Sequence, residues 1–103
     1  MRNVSLELTL LYDFYGEILT EKQRELFDLY YNEDLSLSEI AENEGITRQG
    51  VSDNIRRAEN KMLSWEKECG FCESFLRLKE LSEAAEKGDK KAIKEILEII
   101  EKL

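Results

Sequence analysis

Apolar residues recur three and four positions apart along most of the chain, and the rhythm breaks where a glycine, a polar turn or a capping residue intervenes. Ser5 stands where it caps a first helix whose Leu6, Leu10, Leu11, Phe14 and Ile18 share one face. Glu7, Asp13 and Glu17 fall on the other, and Gly16 weakens the last turn. In TEKQ, the Thr20 hydroxyl can accept from a free backbone N–H while Gln23 reaches back, a reciprocal capping box that opens a second helix. Leu26, Phe27, Leu29 and Tyr30 form its inward stripe, and Asn32, Glu33 and Asp34 end it. SLSE repeats the box with Ser36 and Glu39 and starts a short helix that buries Leu37, Ile40 and Ala41. Gly45 stops that helix, because so abrupt an end needs a positive φ that glycine adopts without a Cβ clash, and Ile46 is then expected to tuck into the core.

Thr47 caps the fourth helix, whose Val51, Ile55, Ala58, Met62, Trp65 and Cys69 make one narrow seam, with Glu66, Lys67 and Glu68 in solvent. Gly70 interrupts it. From Phe71 the phase moves to Phe75, Leu78, Leu81 and Ala85, which predicts a bend or a new helix. Gly88 ends that segment, and Asp89 caps a last helix with an apolar face of Ile93, Ile96, Leu97, Ile100 and Leu103. The expected fold is therefore all-α. A helix-turn-helix bundle occupies residues 1–69, and residues 70–103 form a C-terminal helical extension of the same domain.

The chain has no proline and no histidine, and 37% of its residues are charged, a composition of a soluble helical protein. Its formal charge of -8 is unevenly spread: residues 1–46 hold three cations against eleven acids, and residues 62–103 eight against ten. Only residues 47–61 reverse the sign, with Arg48, Arg56, Arg57 and Lys61 against Asp53 and Glu59. Such a strip is a candidate phosphate-facing surface, but the surrounding acidic field opposes strong generic binding to nucleic acid. The N-terminus carries Glu7 and Asp13 where a signal peptide would be apolar, and no stretch approaches the run of about 20 apolar residues that a membrane span requires. A cytoplasmic protein without membrane insertion is expected.

With Val51, Ile55 and Ala58 inward, Gln49, Ser52, Asp53 and Arg56 turn outward at the front of the fourth helix, where a helix-turn-helix enters the major groove. Thr47 and Arg48 lie at its N-terminus, where free N–H groups and the helix dipole suit a phosphate. Arg57 and Lys61 sit to the flank, toward the backbone. Gln49 and Arg56 have donors for base edges, whereas Asp53 can only accept and repels a phosphate. The candidate DNA-binding set is thus Thr47, Arg48, Gln49, Ser52, Asp53, Arg56, Arg57 and Lys61. An ordinary helical bundle with a solvated charged face accounts for the same spacing, so DNA contact is a separate claim from the fold.

SLSEIAENEGITRQGVSDNIRRAENKM resembles DNA-binding region 4 of bacterial sigma factors, with its EIA helix, its Gly-Ile turn and its recognition helix ending in Arg-Ala. With LYDFYGEILTEKQRELFDLYYNEDLSLSEIA before it and a helical tail after it, the chain is similar to the YlxM/p13-like family of small bacterial helix-turn-helix proteins. The match covers nearly everything up to about Trp65. That resemblance implies a regulatory protein whose gene commonly neighbours those of the signal recognition particle protein and its receptor. Where sigma factors often place basic residues along this helix, the chain has Ser52 and Asp53, a departure from promoter-type recognition.

Cys69-Gly70-Phe71-Cys72 has the spacing of a redox pair or half a zinc site, but the chain holds only these two cysteines. They read as packing residues at a helix junction. No catalytic residue, metal site or cofactor is expected, since the acids lie on helix surfaces and no phosphate-cradling loop is present. The aromatics Phe14, Tyr15, Phe27, Tyr30 and Tyr31 are read as core. More apolar surface follows Phe71 than two covering helices need, which points to a homodimer. Two partner classes stay open: DNA, and a protein or ribonucleoprotein of the signal recognition particle pathway.

Overall fold

The computed structural model describes residues 6–103, and the expected Ser5 cap lies outside them. Those residues form six α-helices and one 3-10 turn, with no strand. They divide into two compact units, Met1–Glu68 and Cys69–Leu103, the boundary falling at the end of the fourth helix.

Helix α1 (Leu6–Tyr15) runs directly into the 3-10 turn Gly16–Ile18. A Cβ on Gly16 would lie 3.2 Å from the Tyr12 ring, so the missing side chain lets the chain close there. Each residue of a 3-10 turn advances about 120° instead of about 100°, which resets the helical phase. Tyr15, four residues after Leu11, and Leu19, which leaves the turn in extended conformation, are buried with Leu10 and Leu11, whereas Phe14, expected inside, is 42% exposed.

Helix α2 (Glu21–Tyr31) begins with the expected box: Gln23 N–H donates to Thr20 Oγ1 at 3.1 Å, and Thr20 N–H to Gln23 Oε1 at 3.0 Å. Helix α3 (Leu37–Glu44) repeats it, with Ser36 and Glu39 bonded reciprocally at 3.0 Å. Tyr12 stacks on Phe27 at 4.6 Å, and Phe27 and Tyr30 both pack on Tyr31, so these rings serve packing. The interior of the helix-turn-helix is a three-helix cluster in which Leu26 of α2 meets Ile40 and Ala41 of α3 and Val51 and Ile55 of α4 (Arg48–Cys69). Leu29, Tyr30, Tyr31, Leu35 and Leu37 close over it, half-buried.

The seam of α4 is buried at Val51, Ile55, Ala58 and Met62 but not beyond, for Trp65 is 46% exposed. Its spacing continues past the point where a neighbour covers it. Glu66, expected in solvent, is half-buried and accepts the Tyr15 hydroxyl at 2.7 Å, tying the end of α1 to the rear of α4.

In the second unit, Gly70 takes φ +66° and a new helix α5 (Phe71–Glu86) follows. Asp89 caps α6 (Lys90–Lys102) by accepting from the Lys91 and Ala92 N–H groups at 3.0 and 3.3 Å. Arg77 of α5 donates to Glu95 of α6 at 2.8 Å and to Glu80 at 3.1 Å. Both contacts stabilise its cation, Glu95 most, and hold its pKa above the ordinary guanidinium value. Cys72, Leu81 and Ala92 are buried, while Phe71 and Phe75 are exposed, contrary to the inward stripe expected of them.

Candidate nucleic-acid interface

Helix α3 ends because Gly45 adopts φ +68° and ψ +30°, and its N–H and that of Ile46 both turn back to the Ala41 carbonyl. That satisfies one carbonyl twice at the helix end. Ile46, expected to tuck inward, is 37% exposed, so its contribution to the turn is this backbone hydrogen bond. Thr47 then caps α4: its Oγ1 accepts from the Gly50 N–H at 2.9 Å, and its carbonyl from the Val51 N–H at 3.0 Å. Gly50 matters here, since a Cβ there would sit 3.1 Å from that hydroxyl oxygen. Lys22 of α2 reaches Glu44 at 3.0 Å, joining α2 to the end of α3 beside the turn. Glu44 is held below the usual carboxylate range by hydrogen bonds from Glu25 and then Lys22. Glu25 is pushed up by the same shared contact with Glu44.

With the α4 triad buried, Thr47, Arg48, Gln49, Arg56 and Arg57 are exposed, and Ser52, Asp53 and Lys61 are half-buried. All eight stand on one helix and its cap, and six of them fall into two groups. In the first, Gln49 Nε2 donates to Asp53 Oδ1 at 2.9 Å and Arg56 Nη1 to the same oxygen at 3.4 Å. The two residues expected to read base edges are therefore tied to the acid between them. Surface contacts of this kind are worth only about 0.2–1 kcal/mol, so a ligand offering better acceptors can displace them. The second group is Arg48, Arg57 and Lys61, none of which forms an ion pair among the described residues.

Beside the front of α4 lies a shallow cavity of about 170 Å³ between α2, α3 and α4, lined by Tyr30, Tyr31, Leu37, Ser52, Ile55, Arg56 and Glu59. Tyr31 donates its hydroxyl to Glu59, which adds an acid on the Ser52 side of the helix. Glu59 and Asp53 thus hold the Ser52 side and the front of α4, while Arg57 and Lys61 lie on the opposite flank and Arg48 at its N-terminus. Two contributors were not among the expected residues. Asn54 donates to the Gly50 carbonyl at 2.9 Å, bracing the first turn. Asn60 is exposed four residues after Arg56, continuing the Gln49, Asp53, Arg56 line by helical spacing, a signal the sequence carried.

Cys69 is half-buried at the end of α4 and Cys72 buried in α5, and no disulfide joins them among the described residues. Among the described residues no helix is long and apolar enough to cross a membrane.

Residues 2–102 match the model of the UPF0122 family, whose description is "Putative helix-turn-helix protein, YlxM / p13 like". A UPF0122 protein of Thermoanaerobacter sp. (strain X514) is 42% identical over 103 residues, covering 95% of this chain and 88% of the relative. One from Symbiobacterium thermophilum is 44% identical over 94 residues, covering 87% and 88%. A third, from Caldanaerobacter subterraneus subsp. tengcongensis, is 51% identical over 71 residues, which is 69% of this chain and 61% of that protein.

Proposed function

Because the chain belongs to the UPF0122 family of YlxM/p13-like helix-turn-helix proteins, we propose that it is a non-catalytic regulatory protein that binds DNA through the exposed front of α4. The observation that carries this reading is the disposition of cations on that helix. Arg48 stands at its N-terminus, and Arg57 and Lys61 lie along one flank, all free to meet phosphates. Phosphate contacts fix register and orientation, while Gln49, Ser52 and Arg56, with Thr47 at the entry, face the groove. Asp53 acts as a gate on specificity. In the free protein it occupies Gln49 and Arg56, and a duplex must draw them away with acceptors such as those of guanine or adenine. Two copies would present two recognition helices to paired half-sites, and DNA binding places the protein in the cytoplasm. Selection of bound genomic fragments at physiological salt tests the reading, with an Arg48→Ala/Arg56→Ala double variant as control. Enrichment lost in the variant supports it; equal enrichment by both proteins would sink it.

Asp53 and Glu59 on α4, with the acidic residues 1–46, favour a second reading. Here the same face meets a protein or ribonucleoprotein of the signal recognition particle pathway. Recovery of particle components on immobilised protein, compared with and without nuclease, supports that reading, and repeated failure to recover them counts against it.

A further inference from the structure

Helix α6 carries Ile93, Leu97, Ile100 and Leu103 exposed along one side, Leu97 at 56%. Ala92 is buried and Glu95 bonded to Arg77, so α5 occupies a different side of the helix. A contiguous row of large apolar side chains about 15 Å long is not an ordinary solvated surface.

The charges beside that row say what covers it. Positions 90, 94, 98 and 101 fall on one flank of α6 by helical spacing. They read lysine, lysine, glutamate, glutamate: Lys90 and Lys94 toward the N-terminus, Glu98 and Glu101 toward the C-terminus. This order opposes the helix dipole, which favours acids first and cations last. The Asp89 cap and Lys102 in the last turn follow the rule, but the first turn itself holds no acid. Like charges also adjoin at each end, and none of the four forms an ion pair among the described residues. A pattern unfavourable within one helix becomes favourable opposite its own reverse.

We infer that a second copy of this chain covers the row, with the two α6 helices antiparallel about a two-fold axis. In that arrangement the same flank of each helix meets its counterpart with direction reversed. Lys90 and Lys94 of one copy then run along Glu98 and Glu101 of the second. A parallel pair would instead set the charged flank against the side of Ala92 and Glu95, which α5 already covers. An anionic membrane suits the face less well, because Glu98 and Glu101 border the apolar row. The inference rests on the homodimer reading and specifies its interface.

Sedimentation equilibrium of the full chain tests it, with circular dichroism confirming that each variant stays helical. Leu97→Asp is expected to weaken dimerisation at least about a hundredfold. Lys90→Glu/Lys94→Glu and Glu98→Lys/Glu101→Lys should each weaken it about tenfold, because like charges then face each other. Mixing these two variants should restore association as a heterodimer, a result that loss of folding cannot produce. A dimer indifferent to all three changes overturns the antiparallel α6 interface and leaves the homodimer standing. A monomeric wild type overturns both, and Leu97-dependent sedimentation of that monomer with anionic vesicles would assign the face to a membrane instead.

Discussion

The helix-turn-helix unit and the α5–α6 unit are built from the same kind of amphipathic helix, yet they treat apolar surface in opposite ways. In the first, three helices converge and bring Leu26, Ile40 and Val51 to full burial, and Met62 extends that seam along α4. In the second, two helices bury Cys72, Leu81 and Ala92 but leave Phe71, Phe75 and four large side chains of α6 exposed. Two helices can shield only one side of each other, whereas a third closes a core. The first unit therefore closes a core of its own around the buried side of α4. The second leaves an apolar row of α6 uncovered.

The contrast breaks most visibly in stability. Ile40→Ala should cost about 2–5 kcal/mol, read as a shifted urea midpoint, because the cavity opens inside a closed cluster. Leu97→Ala, measured on dilute monomer, should cost less than about 0.5 kcal/mol, since its side chain already meets water. Equal losses at the two sites would erase the distinction.

A smaller effect tests the turn. Gly45→Ala has open space for its Cβ but inherits φ +68°, so a loss of about 1 kcal/mol is expected from backbone strain alone. Substituting a cap costs about 1 kcal/mol in either unit, but the consequences should differ. Ser36→Ala is expected to lower the cooperative melting temperature, whereas Asp89→Ala should show mainly as faster hydrogen exchange at the start of α6.

The gentlest probe is alkaline titration, because all four tyrosines lie in the first unit. Burial, then a hydrogen bond with Asp28, pushes the Tyr12 phenol up from 10.0 to about 12. A raised pKa means that its contribution to stability is intact below 10.0 and is lost as pH rises through about 12. Tyrosine absorbance should accordingly keep the Tyr12 phenol among its late-ionising part while the fold persists. In Tyr12→Phe that late part should lose one phenol's amplitude.

Local chemistry made much of the first unit legible in the sequence. Thr20 with Gln23, Ser36 with Glu39, Gly45 and Thr47 act through neighbours within a few residues, and each has its expected role. The Val51, Ile55, Ala58 triad was equally plain, because a seam flanked by charge on both sides admits only one inward face. Periodicity names a face without saying what covers it, which is why Trp65, Phe71 and Phe75 were placed inside and lie outside. Phe14 failed for another reason: α1 ends in a 3-10 turn after Tyr15, and Tyr15 and the extended Leu19 fill the interior there instead. At the binding face, the residues were legible but their pairing was not drawn. Gln49, Asp53 and Arg56 stand four and three apart, the spacing that lets one carboxylate hold both neighbours.

The central claim is that α4 meets DNA phosphates with Arg48, Arg57 and Lys61. Its most direct test is the salt dependence of affinity for a selected duplex, compared between the wild type and Arg48→Ala. Affinity should fall linearly with log salt in the wild type, and the variant should bind more weakly with a slope smaller by about one. Binding that ignores salt, or a variant with the wild-type slope and affinity, would contradict the claim.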